Sequence, residues 1–247
     1  CWQGTGNVKS DFPGATSILD GLEEAVVAIG GSVQHSPTGD FQVKPDIAVV
    51  VFGENPYAEG QGDLPSLEFE PGDKRSLALL KKLKKDGIPV VSIFLSGRPL
   101  WTNPEINASD AFVAAWLPGS EGVGIADVLV GGADGTPRHD FKGKLSFSWL
   151  DNPRQVRLNP HHEYYSPLFA LGYGLTYASG EEGPGLLEED VDQVQSADRD
   201  SITLYSGRPL PPWSVYIGEA DINPVMLSGS YAALSSGIVS ASTTDMN

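Results

Sequence analysis

Three apolar segments, separated by amphipathic ones, dominate the first half of the chain. Residues 47–53, 88–95 and 111–117 are almost wholly apolar and are bounded by Pro, Gly and Asp. Continuous apolar runs of this length predict strands, and we expect the first two to be buried on both faces of a sheet. Each run leads into a loop that carries Gly, Pro and charged residues.

Helical periodicity is found before, between and after these runs. Apolar residues recur every three or four positions over residues 18–29, where Thr16 or Ser17 can cap the first turn. Residues 77–85 combine leucines with lysines, and the lysines cluster near the predicted helix end, where cations interact favourably with the helix dipole. Shorter helices are predicted around residues 105–106 and over residues 125–130.

This alternation predicts an α/β fold with a mostly parallel sheet sandwiched by helices. Residues 143–149 alternate polar and apolar, which predicts a half-exposed edge strand. Because the composition changes after Ala178, we predict a domain over residues 1–178, a linker over 179–190 and a small, partial β module over 191–247. Strands are predicted within that module at residues 202–205 and 213–217.

The loop after the first apolar run is the strongest candidate for a catalytic site. It carries Glu54, Tyr57 and Glu59, and in α/β sheets functional groups collect in the loops beyond the carboxyl ends of the strands. A carboxyl group in such a loop can donate a proton to a leaving oxygen. The same residues also fit a solvated loop without chemistry, and their spacing leaves both interpretations open.

Charge and cysteine content exclude several classes of function. The formal net charge of −16 over 247 residues argues against binding to nucleic acid, whose phosphates require Lys and Arg. The single cysteine, Cys1, excludes an internal disulfide and a Cys-based metal site. The sequence contains no run of 18 apolar residues, so we predict no membrane span. Without an initiator Met or a signal-like segment, the chain is expected to be a fragment.

Common cofactor and metal motifs are missing from the sequence. It contains no GxxxxGK[ST], HExxH or GxSxG pattern. Glycines over residues 119–124 could hold an anion but do not match the dinucleotide fingerprint, which leaves a flavodoxin-like nucleotide binder as an alternative. His161, His162 and Glu163 could offer metal ligands, but adjacent histidines in a Pro-rich loop more often face solvent. We therefore predict neither a cofactor nor a metal.

Five motifs, read together, point to one family. In chain order they are Trp2-Gln3-Gly4, GENPYAEGQGD at 53–63, SGRP at 96–99, AAWLPGSEG at 114–122 and FxLGYGL at 169–175. As an ordered set they resemble the second domain of glycoside hydrolase family 3. The resemblance covers residues 1 to about 177 and is greatest to β-glucosidases and exo-1,3/1,4-β-glucan glucohydrolases.

This resemblance implies an active site that is shared between two domains. An N-terminal (β/α)8 barrel would supply an aspartate nucleophile, and this domain would supply the general acid/base, Glu59. Trp2 would clamp the next sugar ring, with Tyr57 and Glu54 as further substrate-binding residues, and Glu54 would also orient the loop. In addition, Arg98 and Glu121 would shape the loops at the domain interface.

The largest departure from the family pattern is that these 247 residues do not include the barrel. The resemblance then implies the C-terminal part of a retaining, exo-acting enzyme that releases glucose from non-reducing ends of a β-glucan or β-glucoside. Such an enzyme would be periplasmic or secreted, and this chain alone would be inactive. The alternative is a stand-alone carbohydrate-binding module, with Trp2 and Trp213 as its sugar platforms.

Overall fold

The computed structural model describes residues 6–190 and the backbone of two strands between residues 215 and 227. Its contacts divide the chain into two units, Cys1–Ala197 and Asp198–Asn247. The described part of the second unit is an antiparallel pair, β4 (Val215–Glu219) and β5 (Ile222–Leu227). The predicted strand at 213–217 therefore overlaps β4, whereas Trp213 and the predicted strand at 202–205 lie outside the described residues.

The first unit is built on a parallel sheet of three strands. These are β1 (Ala48–Gly53), β2 (Val90–Leu95) and β3 (Ala111–Trp116), in the spatial order β1-β2-β3. The α-helices are α1 (Ile18–Ala28), α2 (Arg75–Lys85), α3 (Asn103–Asn107) and α4 (Val123–Leu129). The α/β prediction is confirmed, and every one of these strands and α-helices lies within three residues of a predicted one.

The two faces of the sheet are covered by different helices. On one face, Val50 and Val90 pack with Leu80 and Leu83 of α2. On the other, Val49 packs against a cluster formed by α1 and α4, whose centre is the fully buried Ala126. Successive side chains of a strand point to opposite faces, so one strand contributes to both layers.

Strand β1 is less covered than its apolar sequence predicts. It lies at one end of the described sheet, and the side chain of Val51 is 42% exposed. In contrast, Ile93, its partner across the register in β2, is fully buried. The prediction of burial on both faces therefore holds for β2 but is wrong for β1 in the described part of the chain.

The predicted edge strand at residues 143–149 is also wrong. This segment forms one isolated bridge, between Trp149 and Phe169, and otherwise runs across the sheet instead of extending it. Trp149 is buried against Phe94 and Phe112, while Phe147 packs edge-on against Trp116. The alternation thus marks side chains that cover a sheet face, and no strand ladder accompanies it.

Part of the predicted linker is tied to α3. Asn107 pairs with the backbone of Leu187 in both directions, with its Oδ1 accepting from the N–H and its Nδ2 donating to the carbonyl, each at 2.9 Å. Asn103 donates to the carbonyl of Glu188, and Lys81 lies 3.7 Å from the Glu189 carboxylate. Residues 187–189 are therefore held on the first unit, while the predicted domain boundaries stay a prediction.

Removal of this anchor should loosen residues 187–189. In Asn107→Ala, we expect the free energy of unfolding to fall by about 1–2 kcal/mol, because two backbone hydrogen bonds are lost. Cleavage by a Glu-specific protease after Glu188 and Glu189 should become faster. Asn159→Ala, at an exposed asparagine whose side chain makes no hydrogen bond to the described residues, is the control. Equal cleavage of both variants would contradict the anchoring role.

None of the helices in the described residues is long and apolar enough to cross a membrane.

Candidate active site

The candidate site lies at the edge of the sheet where its strands end. Strand β1 leads into the glutamate loop, residues 54–63, and β2 leads into residues 96–99. Because the two strands are parallel and paired over their full length, both loops leave the same edge of the sheet.

Gly53 allows these two strand ends to approach each other closely. A Cβ atom built on Gly53 would lie 1.9 Å from the carbonyl oxygen of Leu95. The next residue, Glu54, then donates its backbone N–H to that carbonyl at 2.9 Å. Any larger residue at position 53 would push the glutamate loop away from β2.

Arg98 connects the two loops. Its Nε and Nη2 both donate to Oε1 of Glu54, at 3.0 and 2.9 Å, and its Nη1 donates to the carbonyl of Gly62 at 2.6 Å. Its guanidinium carbon also lies 4.2 Å from the centre of the Tyr57 ring, in cation–π geometry. Arg98 with Glu54, Tyr57 and Gly62 is called the Arg98 clamp below.

The ion pair in this clamp is largely shielded from solvent. The side chains of Glu54 and Arg98 are 12% and 20% exposed. The second carboxylate oxygen of Glu54 is buried and has no hydrogen-bond partner among the described residues. A buried charge-assisted pair of this kind restrains the groups that it joins more strongly than a surface ion pair does.

Tyr57 packs within the clamp. Burial raises the pKa of its phenol, and the nearby Glu54 carboxylate raises that pKa further, while Arg98 acts in the opposite direction. Gly62 makes room for the ring, because a Cβ at that position would lie 2.9 Å from two ring carbons. The end of the glutamate loop therefore packs directly on Tyr57.

Unlike Glu54 and Tyr57 on the same loop, Glu59 has an exposed side chain. It begins a single 3-10 turn, Glu59–Gly62, and its backbone φ is +50°, in the left-handed region that non-glycine residues rarely adopt. Its carboxylate makes no hydrogen bond or ion pair within the described residues. Strained backbone of this kind is common at functional sites, where the surrounding structure enforces it.

The structure brings together only some of the predicted site residues. Glu54, Tyr57 and Arg98 are in contact, and Glu59 lies on the same loop. Glu121 lies in the loop after β3, where it forms a backbone bridge with Thr16, and no hydrogen bond joins its side chain to the Arg98 clamp in the described part of the chain. Trp2 lies outside the described residues.

Two contributors were missed by the sequence analysis. The hydroxyl of Ser96 donates to the carbonyl of Arg98 and accepts from its N–H at 3.1 Å, which fixes the turn that presents the arginine. Gly62 supplies a carbonyl acceptor and the space for Tyr57. The serine could have been found from the SGRP motif, because a Ser two residues before a turn position commonly bonds the local backbone.

Within the described part of the chain, no three His, Cys, Asp or Glu side chains converge on a metal position. The rings of His161 and His162 are 6.1 Å apart and nearly perpendicular.

Residues 1–177 match the glycosyl hydrolase family 3 C-terminal domain. The chain belongs to this family. Among curated proteins, this family 3 chain is 33% identical over 201 residues to a lysosomal beta glucosidase of Dictyostelium discoideum, a match covering 72% of this chain and 23% of the relative. It is 29% identical to a periplasmic beta-glucosidase of Salmonella typhimurium, covering 70% of this chain and 25% of that enzyme.

A solved structure extends the comparison to the fold. The exo-1,3/1,4-beta-glucanase of a Pseudoalteromonas species superposes with a TM-score of 0.74 at 50% identity, covering 92% of this chain and 28% of that one. The α/β arrangement is therefore that of a family 3 C-terminal domain. The family 3 chain described here spans about a quarter of the length of the relatives that it matches.

Proposed function

We propose that this chain is the C-terminal part of a retaining, exo-acting β-glucosidase or β-glucan glucohydrolase, with Glu59 as its general acid/base. The observation that carries the proposal is the position of Glu59. Its carboxylate is exposed and lies on a strained turn, at the sheet edge where such sites form. The Arg98 clamp holds the loop that carries it. The family membership supplies the reaction class.

In this mechanism Glu59 acts twice. As the Asp nucleophile attacks the anomeric carbon, the bond to the leaving oxygen breaks and the Glu59 carboxyl gives that oxygen its proton. The resulting Glu59 carboxylate then takes a proton from water, whose oxygen attacks the anomeric carbon and displaces the nucleophile. The two displacements together retain the anomeric configuration, and glucose is released.

The nucleophile and the water-excluding surface would come from the N-terminal barrel. Retaining enzymes need their two carboxyl groups about 5–5.5 Å apart. Among the described residues the Glu59 carboxylate has no hydrogen-bond or ion-pair partner, and its side chain is exposed in this chain. Both observations favour a site that is completed by a second domain of the same enzyme.

For the substrate, we propose a β-glucan or β-glucoside bound at its non-reducing end, with Trp2 against the next sugar ring and Tyr57 and Glu54 beneath the site. We also propose a periplasmic or secreted location, in line with the periplasmic relative.

Hydrolysis of an aryl β-glucoside by the enzyme that contains the barrel, by this chain alone and by its Glu59→Gln variant tests the proposal. We expect turnover only from the barrel-containing enzyme. Turnover by this chain that Glu59→Gln abolishes would place the second carboxylate within these residues and contradict the shared site. Submillimolar binding of laminari- or cello-oligosaccharides, lost in Trp213→Ala, would instead support a binding module.

A further inference from the structure

The glutamate loop depends on one side chain for much of its anchoring. In addition to the backbone bond from Glu54 to Leu95, Arg98 connects residues 54–62 to the loop after β2. That arginine holds the glutamate loop at its start through Glu54, at its end through the carbonyl of Gly62, and between them through the Tyr57 ring. Glu59 lies in the span that these contacts enclose.

We propose that Arg98 is a positioning residue that sets the orientation of the Glu59 carboxyl group toward the leaving oxygen. The inference rests on the proposed function and adds a specific role to it. The hydrogen bond from Nη1 to Gly62 holds the last residue of the same 3-10 turn that Glu59 begins. Movement of this carbonyl would therefore rotate the turn and displace the carboxyl group.

The planar guanidinium is necessary for this arrangement. Two of its nitrogens meet one carboxylate oxygen, a third meets a carbonyl, and its face lies on an aromatic ring. A lysine ammonium can form one of these contacts well but not all of them, because it lacks the fork and the flat face. Arg98→Lys therefore keeps the charge that balances Glu54 while releasing the loop.

The role predicts a particular kinetic signature. Misplacement of a proton donor by about 1 Å can cost on the order of 100-fold in rate. The loss should fall on substrates whose leaving group needs a proton, such as laminaribiose and cellobiose. The phenolate of an aryl glucoside with a strongly acidic phenol leaves without being protonated. The glucosylation step of such a substrate should therefore be nearly unchanged.

The experiment measures kcat and KM of the barrel-containing enzyme for laminaribiose and for 2,4-dinitrophenyl β-glucoside, in Arg98→Lys, Glu59→Gln and the double variant. We expect Arg98→Lys to lower kcat for laminaribiose about 10- to 100-fold and kcat/KM for the aryl glucoside less than about 3-fold. The double variant should be no slower than Glu59→Gln, because the arginine then has no proton donor to position. Arg75→Lys, at an arginine that is 82% exposed and pairs with Asp73, is the matched control and should leave both substrates unchanged.

Each outcome separates this inference from the proposed function. Equal losses on both substrates, or losses that multiply in the double variant, would make Arg98 a structural residue and overturn the inference. If Glu59→Gln itself shows no dependence on the leaving group, the proposed role of Glu59 fails instead. Should Arg98→Lys not fold, Ser96→Ala loosens the turn that presents Arg98, and equal losses on both substrates there would also overturn the inference.

Discussion

Glu59→Gln in the barrel-containing enzyme is expected to lower the hydrolysis of laminaribiose or cellobiose by about 100- to 10,000-fold, the range typical for loss of a general acid or base. The amide has the shape of the carboxyl group but cannot transfer the proton that the departing sugar hydroxyl requires. A dinitrophenyl glucoside needs no such proton, so its glucosyl-enzyme should still form at a comparable rate. It should then accumulate, because water is no longer deprotonated.

Azide provides a chemical readout of the second step. As an anion it attacks the anomeric carbon of the glucosyl-enzyme without losing a proton, and the Asp carboxylate departs as β-glucosyl azide forms. Turnover of the aryl glucoside by Glu59→Gln should therefore rise on addition of azide, and that of the wild type should not. This product identifies the missing function as proton transfer.

Glu24→Gln is the matched control for Glu59→Gln, since Glu24 is also an exposed glutamate but lies on α1 and has no proposed role in the site. We expect its laminaribiose activity to stay near that of the wild type. Small and equal losses in Glu59→Gln on both substrates, without azide rescue, would remove Glu59 from the acid/base role.

Local features of the fold could be predicted well from the sequence. The cap of α1 is an example, because Ser17 accepts from the N–H of Asp20 at 3.1 Å and the Asp20 carboxylate accepts from the N–H of Ser17 at 2.7 Å. Both partners lie three residues apart, where a capping pattern is readable. The strands β1, β2 and β3 could likewise be predicted, because each is a continuous run of apolar residues.

Specific side-chain contacts between residues far apart in the sequence could not be predicted. Arg98 and Glu54 are 44 residues apart and meet only because β1 and β2 pair in a particular register. At residues 143–149 the alternation indicated the burial of Trp149 but not that of Ser148, and Phe147 is 44% exposed. Trp149 packs on Phe112 of the sheet, a contact that no periodicity encodes.

A second carboxyl group, Glu105 of α3, should make stability depend on pH. Its side chain is 0% exposed, and neither carboxylate oxygen has a hydrogen-bond partner among the described residues. Burial raises the pKa of Glu105 to about 7 from 4.5, against the opposing effect of Lys74, whose Nζ lies 3.7 Å away. Glu70 raises the pKa further, and the Lys74 ammonium is shared with Glu68 at 3.1 Å.

The direction of the effect follows from proton binding in the two states. Below about pH 4.5 Glu105 is protonated in both, whereas between about pH 4.5 and 7 the unfolded chain releases this proton and the folded chain retains it. Stability therefore falls as pH rises through this window and becomes constant above it. The loss is about 3 kcal/mol, since one pKa unit corresponds to about 1.4 kcal/mol.

Glu105→Gln should remove this dependence, because the amide stays neutral at every pH. We expect the variant to gain about 2–3 kcal/mol on the wild type between pH 5 and pH 8. Urea unfolding of this chain, followed by fluorescence of the buried Trp101 and Trp149, measures the difference. In Glu163→Gln, at an exposed glutamate, the difference from the wild type should not change with pH. If the gap between Glu105→Gln and the wild type were likewise the same at pH 5 and pH 8, Glu105 would be ionised in the folded chain throughout, and Lys74 would outweigh the burial of its carboxyl group.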